Sequence, residues 1–404
     1  MPRVLVLGAG FAGLWAAIGA ARKCDEVGAR AGDVEILVID RHPYHNIRVR
    51  NYEVEIGDVA IPLAKLLDPV GVKHRVAEVE AIDPAKREVA IVADGRRETL
   101  AYDRLVVTLG SELVRPAIAG LAAHSFDIDT YDAARKLDAH LAALGKGSAS
   151  DAAATVVVVG AGFTGIEVAA EMPAKLDKAG VAGKRRVILV DPGSVAGSAM
   201  GAHGQPVVAE ALSSLGIETR CAVRVKAVDA DGVTLDSGEV IATRTVVWCA
   251  GMRASPLAAQ LAGERDHYGR LPVDEYMRVK GLANVFAAGD VACAALDGKH
   301  ETVMSCQFAR PMGRYAGYNV VADLLGVPML PLHIDWYVTV LDLGSWGALY
   351  TEGWDRKVRT TGAAAKDTKQ TINRIRIYPP LNGSRADLLA AAAPAVQVAP
   401  KTKT

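Results

Sequence analysis

The chain carries no excess charge. Its 404 residues hold 46 Lys and Arg against 46 Asp and Glu, so no overall basic field points to nucleic acid as a partner. Cysteine is scarce. Cys24, Cys221, Cys249, Cys293 and Cys306 are scattered, and none forms a Cys-x-x-Cys pair. That distribution argues against a clustered metal site and a disulfide framework. It fits a reducing compartment, with most thiols acting as small buried apolar groups. No apolar run reaches the roughly 20 residues needed to cross a bilayer. The first strand is predicted to start at residue 3 or 4, which leaves no room for a signal peptide or transit segment. Together these absences predict an intracellular protein, soluble or held at a membrane surface. Aromatics make up only 5% of the chain, and several gather late: Trp336, Tyr337, Trp346, Tyr350 and Trp354. At strand spacing they read as core packing; an acceptor pocket is the other reading.

Glycine is abundant, with 39 residues in a chain that is 50% hydrophobic, as suits a well-buried α/β protein with many tight turns. Length suggests two or three domains. The most informative feature is a repeat. Val4-Leu-Val-Leu-Gly-Ala-Gly-Phe-Ala-Gly13 recurs as Val156-Val-Val-Val-Gly-Ala-Gly-Phe-Thr-Gly165. Each copy is an apolar strand run followed by Gly-x-Gly-x-x-Gly. The first glycine (Gly8, Gly160) permits a tight turn. The second (Gly10, Gly162) lets backbone approach a pyrophosphate, and the third (Gly13, Gly165) lets the next helix pack on the sheet. That helix aims free N–H groups and its positive dipole end at the phosphate. Phe11, Leu14, Trp15 and Ile18 recur at helical spacing in the first copy. An acid ending the following strand is expected to meet the ribose; Val34–Asp40 supplies Asp40 and Val187–Asp191 supplies Asp191. Strand, turn, helix and distal acid all occur twice. Two dinucleotides in one chain suggest electron transfer between them.

The rest of the chain mirrors this duplication. Val76–Ile82 and Arg87–Ala93, with turns at Asp83-Pro84 and Asp94-Gly95, predict a small antiparallel meander. Val225–Val228 and Val233–Leu235 predict its counterpart. Tyr102–Ser111 and Thr245–Gly251 predict the two returning strands. Residues 145–154 read as a surface loop, and Arg41–Asn46 as a polar loop. Asn284–Asp290 predicts a short strand ending in Gly-Asp. A long helix is predicted over Val303–Leu325, with Gly313 and Gly317 tolerated inside it.

These motifs resemble those of the two-dinucleotide flavoprotein reductases, the pyridine nucleotide–disulfide oxidoreductase family, over nearly all of residues 1–330. Within it the chain is most similar to the type II, non-proton-pumping NADH:quinone oxidoreductases. Three stretches carry the likeness: Ile39-Asp-Arg-His-Pro-Tyr-His45, the second fingerprint through Glu167, and Cys306-Gln-Phe-Ala309. The resemblance implies an α/β fold of two Rossmann-like units, the second inserted in the first. The FAD unit would span residues 1–115 and 266–330, the NADH unit 116–265, and a C-terminal α+β segment 331–404. It further implies FAD at Gly8, Gly10, Phe11, Ala12, Gly13, Asp40, Arg41, Thr108 and Gly110. NADH would lie at Gly160, Gly162, Thr164, Gly165, Glu167, Asp191, Ala250 and Gly251. Gly289, Asp290, Gln307 and Phe308 would face the flavin. Glu167 is the catalytic candidate, positioning the nicotinamide or relaying a proton; its other reading is an acid complementing a helix N-terminus.

No base follows Asp191, and Arg185 and Arg186 precede its strand, so NADH is expected over NADPH. No dithiol follows the first helix, which leaves Cys293 and Cys306 as packed thiols rather than a redox pair. His42 and His45 are expected as flavin-side loop contacts, and no metal is expected. Two departures stand out. Pro311 occupies the place of a second Gln, and Leu343 that of a Lys. The basic segment 351–404 holds ten Lys and Arg against four Asp and Glu, in keeping with the peripheral membrane contact the resemblance implies. A cytoplasmic enzyme on the inner or plasma membrane, with a quinone-like acceptor and a homodimer as one assembly, is the resulting expectation. Two alternatives stay open: a reductase of a ferredoxin-type protein, marked by salt-sensitive rates, and a redox-sensing flavoprotein, marked by slow reoxidation.

Overall fold

The computed structural model describes residues 1–30, 32–261 and 263–394. The apolar runs of the repeat become the centres of two parallel sheets. The first runs Val285–Ala287, Arg104–Val107, Arg3–Leu7, Glu35–Asp40 and Lys73–Val76, every pairing parallel. The second runs Glu218–Cys221, Arg186–Asp191, Thr155–Val159 and Thr245–Trp248, also all parallel. Val4–Leu7 and Val156–Val158 have no exposed surface, as expected for strands covered on both faces. The fold is therefore α/β with two Rossmann-like units. In sequence the second sheet falls between two neighbouring strands of the first, Arg104–Val107 and Val285–Ala287.

Both predicted meanders form, each with a third strand: Arg96–Ala101 in one and Val240–Ala242 in the other. The expected strand Val76–Ile82 is corrected. Lys73–Val76 pairs with Glu35–Asp40, the backbone turns at buried Ala77, and Glu78–Asp83 then joins the meander. One apolar run thus serves two sheets, which periodicity cannot show. The loop at 145–154 is corrected too. Its start is the end of a helix, Tyr131–Gly145, capped by Thr130, and Asp151–Ala154 forms a helical turn. A Cβ on Gly145 would sit 1.8 Å from the Ala179 carbonyl oxygen, so this helix end packs on the end of Phe163–Ala179. Arg41–Asn46 is not wholly a polar loop: Tyr44–Asn46 pairs with Ala60–Pro62, and His45 is fully buried.

The long helix forms over Cys306–Leu324. It runs beside Phe11–Glu26 in the same direction, Gly313 against Ala12 and Gly317 against Ala16. These glycines are required, not merely tolerated. A Cβ at either would stand 2.3 or 2.1 Å from a carbonyl oxygen of the neighbouring helix. Gly313→Ala or Gly317→Ala is expected to lower stability by about 1–3 kcal/mol through overpacking. Chemical denaturation of the purified variants checks this; an unshifted midpoint would contradict the close approach.

The C-terminal segment is α+β. Val338–Asp342, Ala348–Glu352 and Lys357–Thr361 form an antiparallel sheet, followed by helices Gly362–Thr371 and Arg385–Ala391. Lys401 and Lys403 of the basic segment lie outside the described residues. Among the described residues no helix is long and apolar enough to cross a membrane, and no cluster of His, Cys, Asp or Glu could hold a metal ion.

Candidate functional site

The two glycine turns are built alike down to single hydrogen bonds. Gly8 and Gly160 adopt φ of +93° and +104°, a region that disfavours side chains. A Cβ on Gly13 would fall 1.8 Å from the Gly8 carbonyl oxygen, and one on Gly165 1.7 Å from that of Gly160. Gly10 and Gly162 differ in kind. Nothing lies within 4 Å of where their Cβ would be, so their missing side chains serve no packing need of the protein and leave bare backbone at each helix N-terminus. That is the cradle a pyrophosphate fits.

Asp40 and Asp191 do more than wait for a ribose. Asp40 accepts from the Ala9 and His42 N–H groups at 2.6 and 2.8 Å. Asp191 accepts from the Ala161 and Gly193 N–H groups at 2.6 and 2.7 Å. Each acid thereby ties the end of its strand to its own glycine turn. His45 adds support to the first turn. Its Nδ1–H donates to the Ala9 carbonyl at 2.8 Å, and burial pulls the imidazole down to about 4, so it is neutral. The Thr108 hydroxyl likewise donates to the Leu7 carbonyl at 2.7 Å.

Between the two turns lies a cavity of about 720 Å³. Gly10, Phe11 and Ala12 of the first turn line it, and so do Phe163, Thr164 and Glu167 of the second. Thr108, Gly110, Gly289, Asp290 and Gln307 complete the expected set on its wall. Asp290 accepts from the Ser111 hydroxyl at 2.7 Å and faces Arg48 at 3.7 Å; Arg48 also pairs with Asp129. Several buried polar atoms on this wall have no protein partner: Ser305 Oγ, Gln307 Nε2, Trp336 Nε1 and Thr339 Oγ1. Buried polar groups are ordinarily hydrogen-bonded. Their convergence on one cavity fits a large polar ring system such as an isoalloxazine.

Several expected residues lie off this wall. The glycines at 8, 13, 160, 162 and 165, with Asp40 and Asp191, form the turns behind it. Ala250 packs beneath Gly160, and Gly251 takes φ +78° beside Val114. Arg41 is exposed, 3.8 Å from Glu78. The Phe308 ring is fully buried in a stack with Tyr337 and Trp354, so it shapes the core and does not line the cavity. Trp336 and Tyr337 do line it, while Tyr350 packs in the core, so the late aromatics divide between the two readings.

Glu167 sits in the second turn of the Phe163–Ala179 helix, deeper than a helix-terminal acid. It accepts from Lys369 Nζ at 2.7 Å and from the Asp342 N–H at 3.1 Å. Burial pushes its carboxyl up, against the opposing pull of Lys369. Burial opposes the charge on Lys369 as well, yet Glu167 and then Asp342 hold it above its ordinary value. Asp342 is itself bonded by the Tyr52 hydroxyl at 3.1 Å and by Lys366. Lys366 Nζ also reaches the Gly344 carbonyl at 3.2 Å. Lys366, from the helix Gly362–Thr371, thus places an ammonium beside the residues flanking Leu343. Sequence reasoning missed Lys369, Lys366, Asp342, Tyr52 and Arg48; the one trace was the basic bias of the tail.

All five cysteines are free. Cys293 donates to Glu301 at 3.1 Å, and burial pushes it up to about 12. Burial also raises Cys306, which lines the cavity. Thiols held protonated are poor nucleophiles.

Residues 2–313 match the family model described as pyridine nucleotide-disulphide oxidoreductase. An NADH dehydrogenase-like protein of Mycobacterium tuberculosis is 57% identical over 99% of this chain and 100% of its own length. Demethylphylloquinone reductase NdbB of Synechocystis is 29% identical over 86% of each chain. Among solved structures, NDH2 from Plasmodium falciparum in complex with NADH aligns with a TM-score of 0.76 at 13% identity, covering 97% of each chain.

Proposed function

The chain belongs to the pyridine nucleotide–disulphide oxidoreductase family, and on that premise we propose that it is an FAD-dependent NADH dehydrogenase with a quinone-type acceptor. The observation that carries this is a cavity walled by both glycine motifs and by the C-terminal segment. Two nucleotides bound at Gly10 and Gly162 would meet there. The net reaction is NADH + H⁺ + quinone → NAD⁺ + quinol. FAD, when bound, supplies the two-electron carrier between donor and acceptor.

The protein's own work is binding, orientation and proton supply. Backbone N–H groups at Phe11 and Phe163 would hold the two pyrophosphates. Asp290 and Gln307, both on the cavity wall, would partner flavin polar groups. Asp191 favours a ribose hydroxyl and repels a 2′-phosphate, and Arg185 and Arg186 are engaged elsewhere, with Asp177 and Glu218. The Glu167 carboxyl, raised by burial, gives the proton that quinone reduction consumes, and Lys369 Nζ orients it. Nucleotide-binding units at 1–115 with 266–330 and at 116–265, and a C-terminal unit from 331, belong to the same proposal. Ile375, exposed between Arg374 and Arg376, supports a peripheral contact with an anionic membrane surface on the cytoplasmic side.

The test is anaerobic. NADH is expected to bleach the yellow flavin of the holoprotein, and a neutral naphthoquinone is expected to restore it faster than a ferredoxin-type protein, a disulfide or oxygen. Restoration by ferredoxin alone would replace the quinone assignment.

A further inference from the structure

The acceptor side of the cavity carries a cation that nothing among the described residues neutralises. Gln307, Arg310 and Arg314 follow one another at i, i+3 and i+7 on the Cys306–Leu324 helix and all line the cavity. Arg376, from the C-terminal segment, lines it as well. Among the described residues no carboxylate lies within ion-pair distance of Arg310, and its Nε is buried without a hydrogen-bond partner. It lies over the Trp15 ring at 5.6 Å, with Arg314 over the same ring at 4.4 Å. Burial pulls its guanidinium below the ordinary value; Cys306 opposes this, and the like charge of Arg376 adds to it.

The carboxylates on the same wall are already committed. Glu167 is bonded by Lys369, and Asp129 and Asp290 face Arg48. A guanidinium held in a cavity beside others of like charge is unfavourable until an anion arrives. It then gains charge-assisted hydrogen bonds in a desolvated setting. The two pyrophosphate cradles lie at the glycine turns, whereas Arg310 stands a turn along the helix from Gln307, near Arg376.

Resting on the quinone reading above, we infer that the acceptor is an acidic quinone, with an ionised group that Arg310 binds while the quinone ring lies toward Gln307. The acid group takes no part in electron transfer, so the stoichiometry is unchanged: two electrons and two protons reduce the ring to the quinol.

The experiment compares 1,4-naphthoquinone-2-sulfonate with 1,4-naphthoquinone on the holoprotein, wild type and Arg310→Gln, with Arg310→Lys as the conservative variant. Calorimetric binding of the unreactive naphthalene-2-sulfonate gives a readout apart from turnover. Arg310→Gln should lower kcat/KM for the sulfonate at least ~10-fold, with little change for the neutral quinone. Arg310→Lys should recover part of the loss, and flavin bleaching by NADH should stay as in wild type. Naphthalene-2-sulfonate should bind wild type and not Arg310→Gln. Equal losses for both quinones, or none, would overturn the inference. So would loss of flavin from Arg310→Gln, because Arg310 would then serve the cofactor. If neither quinone reoxidises bleached flavin while another acceptor does, the quinone reading itself fails; naphthalene-2-sulfonate binding then still decides whether Arg310 holds an anion.

Discussion

Gly13→Val is expected to give protein without bound flavin, whereas Gly165→Val keeps its yellow flavin and resists bleaching by NADH. The two positions are geometric twins, each with a would-be Cβ under 2 Å from a carbonyl oxygen of its own turn. Relief requires the helix to move by more than an ångström, which carries the helix N–H groups off the phosphate. In the first unit that removes the cradle for the flavin nucleotide. In the second it misplaces the nicotinamide while leaving the first sheet and its turn untouched. A displacement of this size in a reacting partner costs about 100-fold or more in rate. Dithionite, which needs no nucleotide site, should bleach the Gly165→Val flavin as it does wild type, and that control separates a lost NADH site from a misfolded chain. If Gly165→Val loses flavin and Gly13→Val retains it, the order of the two sites is reversed.

That the pair can be predicted so closely follows from how local the signal is. Gly8 to Gly13, the apolar run before them and the acid at Asp40 act within one strand–turn–helix unit, and local chemistry is written in local sequence. The duplication then reads each unit against the other. Even here the acids held a surprise. Their spacing marks them, but their bonds to the Ala9 and Ala161 N–H groups depend on the strand pairing that sets Asp40 and Asp191 beside their turns. Contacts across long sequence separations were not legible. Lys369 meets Glu167 over 202 positions, and Tyr52 meets Asp342 over 290. No periodicity links such residues. His45 looked like part of a polar loop because polar neighbours surround it in sequence, yet a two-strand pairing turns it inward. Gly313 and Gly317 looked like weak points of a helix because their function lies in the helix beside them.

The buried pair offers the second large effect. Lys369→Met is expected to cost about 3–5 kcal/mol of stability at pH 8, the range seen when one partner of a buried ion pair is removed. Glu167 then keeps its burial and loses the cation that opposed it, so its carboxyl rises further above 4.5. A raised folded-state value means that the folded form binds the proton more tightly. The associated stability is present below pH 4.5 and is lost as pH rises through the raised value. The deficit of Lys369→Met against wild type should therefore be small near pH 5 and widen toward pH 8. Lys369 adds the same sign in wild type: raised above 10.5, it contributes stability that disappears only in strong alkali. Glu167→Gln combined with Lys369→Met leaves no charge to strand and should recover most of the loss at pH 8. Denaturation midpoints of the holoproteins at pH 5 and pH 8 decide the matter. A deficit that does not change with pH, or a double variant no better than Lys369→Met, would mean that Lys369 stabilises through packing of its stem and not through the Glu167 charge. The pH-dependent outcome also bears on catalysis, because a carboxyl that changes protonation inside a cavity between two nucleotide cradles is placed to pass a proton to whatever is reduced there.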